Sequence, residues 1–140
     1  MLKAPEGNIF GMVLAGDIPS YEVYSDEACY AFLDIYPQAP GHTLVIPRSF
    51  SPNIGAAAPE DVAACAAAVQ KLIPAIMDAT RTSGVTIISN MGKDAGQMIE
   101  YMHFHIIPRR VSDEVSLYTI GPIVSPAELS AMQEKIKAAL

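Results

Sequence analysis

Tyr101-Met102-His103-Phe104-His105-Ile106-Ile107-Pro108 alternates histidine with apolar residues at the two-residue period of a β-strand. Successive side chains of an extended chain point to opposite faces. His103 and His105 therefore share one face, roughly 6.8 Å apart at about 3.4 Å per residue. Met102, Phe104 and Ile106 face the other way, toward a core. A single strand histidine is ordinarily a satisfied polar group. Two on one face, in a chain with only three histidines, read as a site, because imidazole titrates near neutrality and is a habitual ligand.

Working outward from this pair, residues 99–108 form a predicted fifth strand. A glycine-containing loop, 90–97, precedes it, and a β-rich stretch, 85–89, gives a fourth strand. Further upstream, Pro59 suits a first helical position, and Glu60 and Asp61 lie at the positive end of the dipole. Val62, Cys65, Val69, Leu72 and Ile76 recur at three- and four-residue spacing, the apolar stripe of a long helix to about Thr82. Pro74 inside it should kink the helix or remove one backbone bond. Residues 21–24, 28–33 and 42–46 read as three early strands. Ser25-Asp26-Glu27 is a hairpin turn between the first two, and the Pro37/Pro40 loop precedes the third. Ile9–Ala15 reads as one or two helical turns. Ser125-Pro126-Ala127-Glu128 is a capping box opening a C-terminal helix whose inner stripe is Leu129, Met132 and Ile136. The class is α+β, with a five-stranded, mainly antiparallel sheet, one long helix and a C-terminal helix.

The 140 residues fit a single domain, 1–140, and no linker or repeat divides them. A net charge of −6 argues against a nucleic-acid partner, whose affinity would come largely from Lys and Arg on phosphates. Cys29 and Cys65 form no Cys-x-x-Cys motif, so they read as two reduced, packed thiols. The N-terminus carries no apolar signal core, and the longest uninterrupted apolar run, 62–69, is too short to span a bilayer. These features predict a cytoplasmic protein with no membrane partner.

Two chemistries fit the histidines. His103 and His105 with His42 make a three-histidine set that could hold zinc with an open position, although no carboxylate flanks the pair on its own face. Alternatively, a neutral imidazole is a good nucleophile toward phosphorus, splitting one displacement into two easier ones. Loop 90–97 would then supply donors to the phosphoryl oxygens.

Residues 101–107 resemble the histidine-triad (HIT) motif, with tyrosine in place of the first histidine. The resemblance continues through Ile9-Phe10-Gly11, Ala15-Gly16-Asp17-Ile18-Pro19, the block 31–48 and Ala95-Gly96-Gln97, in order and spacing. It covers about residues 8–110 and fades over 111–140. The Hint branch is more similar than the Fhit branch. This resemblance implies a HIT-like fold, a homodimer and a nucleotide hydrolase or transferase needing no cofactor. The substrate it implies is a purine nucleotide or nucleotide conjugate, such as a nucleoside phosphoramidate. It makes His103 the nucleophile, and His105 and His42 the contacts to phosphate oxygens and leaving group. Asn90 and Gln97 would help hold the phosphate and Asp34 the ribose. Ile9, Phe10, Ile18, Phe32, Ile35 and Leu44 would form the purine slot, although burial habits alone would make these apolar residues ordinary core.

Three positions depart from the family. Tyr101 keeps the backbone carbonyl that holds the nucleophile's ring but adds a phenol, expected to reshape the leaving-group side. Met98 stands where a hydroxyl donor is usual. The stretch 8–11 lacks a cysteine pair and Ser49-Phe50-Ser51 lacks a histidine, so no structural zinc is expected. Tyr101 and Met98 also motivate an alternative: a catalytically weak nucleotide-binding or scaffold protein of the same fold.

Overall fold

The computed structural model describes residues 1–113 and 121–140. Of the predicted C-terminal stretch 111–140, residues 114–120 lie outside the described residues. Helix α1 (Ile9–Ala15) starts where the Asn8 side chain accepts from the Gly11 amide, and it stops at Gly16 in the left-handed conformation, φ 77°. Strands β1 (Glu22–Ser25) and β2 (Cys29–Leu33) flank a turn in which Asp26 accepts from the Ala28 and Cys29 amides. Strand β3 (Thr43–Pro47) follows, then helix α2 (Pro59–Thr80), strand β4 (Gly84–Ile88), strand β5 (Phe104–Arg109) and helix α3 (Pro126–Ala139). The strands form one antiparallel sheet in the order β1-β2-β3-β5-β4.

Alternation along the central strands sorts their side chains onto two faces. Ala31, Val45, Met102 and Ile106 meet Cys65, Ala68, Val69, Leu72 and Ile76, so α2 covers one face. By length and composition α2 is apolar enough to cross a membrane, but its apolar stripe is occupied by this packing. Phe32, Leu44, Ile46 and Tyr101 meet Phe10 and Val13 of α1 on the other face. Seven residues make a helix only about 10 Å long, so α1 leaves part of that face open. His42 and His105 stand beside the open part.

Several local expectations change. The histidine-bearing strand begins at Phe104 rather than at residue 99. Before it, the Tyr101 amide curls back to the Ile99 carbonyl (2.8 Å) and the Met102 amide donates to Ser51 (2.8 Å), which takes both out of the ladder. Helix α2 runs through Pro74, which lies on its exposed side, where solvent can serve the lost partner. The predicted inner stripe of α3 is not inward. Leu129, Met132 and Ile136 are all more than half exposed. Cys29 and Cys65 are free, fully buried thiols with their sulfurs 3.5 Å apart.

Candidate active site

Register brings the three histidines together. Leu44 pairs with His105 across β3 and β5, so the even-numbered side chains from 42 to 46 share a face with His105. His42 Nε2 lies 2.9 Å from His105 Nδ1, and the His103 and His105 ring centroids are 4.9 Å apart. This is closer than strand spacing alone predicts, because His103 sits in the curled approach to β5.

His103 is clamped. Its Nδ1 is 2.6 Å from the Tyr101 carbonyl oxygen, which can only accept, so Nδ1 carries the proton and Nε2 keeps its lone pair. The His103 carbonyl in turn accepts from the Ser89 hydroxyl at 2.8 Å, and Phe10 presents its ring edge-on to the imidazole at 5.1 Å. Ser89 was not singled out from the sequence. Nothing in residue spacing signals a serine bonded to a carbonyl 14 positions away.

Burial pushes all three rings toward the neutral form. Desolvation is the main cause for His103, and it outweighs the opposing pull of the Tyr101 hydrogen bond and Asp34. Desolvation also dominates at His42. His105 is driven down to about 4, first by burial and then by the neighbouring His103 and His42.

These rings line a cleft of about 460 Å³. Its apolar walls include Phe10, Ile18, Phe32 and Leu44, and its rim includes Ile9 and Ile35. Ile9 is 49% and Ile35 67% exposed, so these two are not core residues; they are apolar surface facing an open slot. Asp34 lies at the junction of slot and histidines, its Oδ2 3.6 Å from His42 Nε2 and its Oδ1 accepting from the Tyr36 amide. Asn90 lines the cleft near the rings. Among the described residues lining it, Asp34 is the only charged one, with no Lys or Arg present.

Two side chains are engaged outside the cleft. The Gln97 side chain is not among the residues lining the cleft. Its amide donates to the Pro52 and Ile99 carbonyls and accepts from Gly92, stapling loop 90–97 to its surroundings. The Tyr101 phenol does not line the cleft either. It is 1% exposed, packs between Phe10 and Phe50, and donates to the Pro47 carbonyl at 2.6 Å. Met98, by contrast, lies 91% exposed at the cleft mouth.

Asp34, His42 and His105 bring one ligand atom each to within 4.8 Å of one another, close enough to consider a metal. The surroundings argue otherwise. A ligating histidine ordinarily donates its second ring N–H to an acceptor, whereas the second nitrogen of His42 faces a donor, the Gln38 amide, at 3.1 Å.

The cleft thus joins an imidazole with a free ring nitrogen, an apolar slot and a carboxylate, and comparison with known proteins places the chain in a family. Residues 15–112 match the HIT domain; the chain belongs to the HIT family. It is 33% identical over 132 residues to the adenosine 5′-monophosphoramidase hnt1 of Schizosaccharomyces pombe, covering 93% of this chain and 96% of that one. It is 35% identical over 105 residues to the adenylylsulfatase HINT3 of Arabidopsis thaliana, covering 75% of this chain and 53% of the relative. A solved HIT family protein from Bacillus subtilis superposes with a TM-score of 0.86 at 36% identity, covering 96% of this chain and 98% of that structure.

Proposed function

We propose that this single-domain protein is a Hint-like nucleoside phosphoramidase, with Tyr101 at the first triad position. One observation carries the reading: the Tyr101 carbonyl occupies His103 Nδ1 and leaves Nε2 as a free lone pair in the cleft. That nitrogen attacks the α-phosphorus of a purine nucleotide conjugate. The phosphorus–nitrogen bond breaks, and the leaving amine departs with its electron pair and a proton taken from solvent at the open cleft, a proton that the attacking water later returns. Water then attacks the same phosphorus, the bond to His103 breaks, and the nucleoside monophosphate is released. His105 and His42 support charge on the phosphoryl oxygens, Asn90 assists, and Asp34 holds the ribose while the base lies in the apolar slot.

The cleft's charge favours an amine as leaving group. A sulfate or polyphosphate would carry further negative charge into a pocket whose only charged lining residue is Asp34 and whose rings are held neutral. Turnover of an adenosine phosphoramidate should therefore exceed that of adenylyl sulfate or a dinucleoside polyphosphate. Rapid acid quench followed by intact-mass measurement should trap one nucleotidyl group on the wild type and none on His103→Asn. His103→Asn should lose on the order of 10³-fold or more in kcat; wild-type turnover by that variant defeats the mechanism.

One observation favours a second reading, nucleotide binding with little catalysis. Met98 offers no donor at the mouth, and the Gln97 amide is committed to the loop. Tight nucleotide binding without turnover on the same panel would select it. We also propose a cytoplasmic homodimer. The supporting features are the outer edge of β4, which has no strand neighbour on that side among the described residues, and the outward face of α2, where Ala63, Ala66 and Ala67 are exposed. Sedimentation at micromolar concentration should give the dimer mass; a clean monomer refutes it.

A further inference from the structure

A backbone N–H can only donate a hydrogen bond and a carbonyl can only accept one, so bonds of this kind assign ring protons. The Gln38 amide nitrogen lies 3.1 Å from His42 Nδ1. That ring nitrogen must hold a lone pair, which puts the proton of the neutral ring on Nε2. His42 Nε2 is 2.9 Å from His105 Nδ1. Bearing the proton, it donates there, so His105 Nδ1 is the acceptor and the His105 proton sits on Nε2. His103 has the opposite arrangement, with its proton on Nδ1 toward the Tyr101 carbonyl.

We infer that the Gln38 backbone amide is a positioning group: acting through His42, it locks His105 with its proton on Nε2, so that the neighbouring His103 and His105 rings present a lone pair and an N–H to the cleft. Neither exposed nitrogen has a protein partner, and among the described residues no buried side-chain nitrogen or oxygen lacks one. Both therefore remain available to a ligand.

The loop is built to aim that amide. Pro37 and Pro40 have no N–H of their own. The His42 amide bonds the Ala39 carbonyl at 3.0 Å, and the Asp34 amide bonds the His42 carbonyl at 2.9 Å. Gly41 turns the chain at φ 90° between them.

The use of this arrangement rests on the phosphoramidase reading. A neutral ring is a poor proton source but a good fixed donor, and the Nε2–H of His105 stabilises charge building on a phosphoryl oxygen without moving its proton. The other tautomer would turn a lone pair toward an anionic oxygen. The tautomers themselves belong to the resting protein and do not depend on any substrate.

Long-range proton–nitrogen correlation spectra of histidine-labelled protein above neutral pH read each ring directly, with peaks assigned from single His→Asn variants. The expected result is His42 and His105 protonated on Nε2 and His103 on Nδ1. Gln38→Pro deletes the donor, whereas Gln38→Ala keeps it. The proline variant should move His42 and His105 toward mixed tautomers while His103 stays as it was. Its kcat on a phosphoramidate should fall on the order of 10- to 100-fold, with KM changed less. Gln38→Ala should keep the wild-type ring pattern. His42 protonated on Nδ1 in the wild type, or an unmoved His105 in a folded Gln38→Pro, overturns the inference. If the proline variant does not fold, the wild-type spectrum decides alone. Expected tautomers in a protein that turns over no phosphoramidate would sink the functional reading and leave this one standing.

Discussion

Tyr101 separates what its backbone does from what its side chain does. The carbonyl sets the His103 ring, while the phenol belongs to the core and bonds the Pro47 carbonyl. Burial raises the phenol's pKa well above its ordinary value, so it stays a neutral donor. Tyr101→Phe should therefore cost about 1–2 kcal/mol in a urea melt, the loss of one buried hydrogen bond, while kcat stays within a few-fold of wild type. Tyr101→Ala should cost about 3–5 kcal/mol by leaving a cavity among Phe10 and Phe50. The survival of the carbonyl was legible in the sequence, since every residue has one. The direction of the phenol was not, because alternation fails where the chain curls at residues 99–102. For the same reason Gln97 read as a ligand contact: its type and loop were visible, but its bonds to Pro52 and Gly92 were not.

Among the elements, the segment between β2 and β3 carries more of the site than its irregular appearance implies. It supplies Asp34, the Gln38 amide and His42, and it turns at Gly41, whose missing side chain leaves room for Thr80 at the end of α2. A β-carbon there would come 2.5 Å from Thr80 Cγ2, in a backbone conformation L residues rarely adopt. Gly41→Ala should destabilise the protein by about 2–4 kcal/mol, adding left-handed strain to overpacking. It should also lower kcat by displacing His42; unchanged stability and kcat would refute the packing argument. Strand and helix identities were legible from periodicity and caps, as with the Pro59-Glu60-Asp61 start of α2. The exposure of Leu129, Met132 and Ile136 was not, since an apolar stripe does not say whether anything lies opposite it.

Across the whole molecule, two buried histidines and the half-buried His105, all held toward the neutral form, link acidity to folding. Each has its folded pKa lowered below the roughly 6.5 of an unfolded histidine. As pH falls from about 6.5, the unfolded chain takes up protons that the native one refuses. Stability should therefore be full above that value and decline below it, with the His105 share ending near 4. That share is on the order of 3 kcal/mol at most, and urea midpoints across this window measure it. For the same reason kcat/KM should fall with acid only once His103 protonates, below the ordinary imidazole range. A flat stability profile would mean that the rings are solvated. Half-apolar composition and a run of family blocks made the overall fold legible. The family blocks named the residues of the slot, but not why it stays open: a seven-residue helix is too short to cover its sheet.

The pairing of Leu44 with His105 lies on β3 and β5, with a strand on either side of each. Amides so enclosed exchange with solvent deuterium only when the entire fold opens, whereas those of loop 90–97 can exchange through small local excursions. His105 is thus fastened to the slowest-exchanging part of the protein, whereas Met98, at the mouth of the cleft, lies outside the sheet. Partial melting should loosen the mouth of the cleft before it disturbs His105.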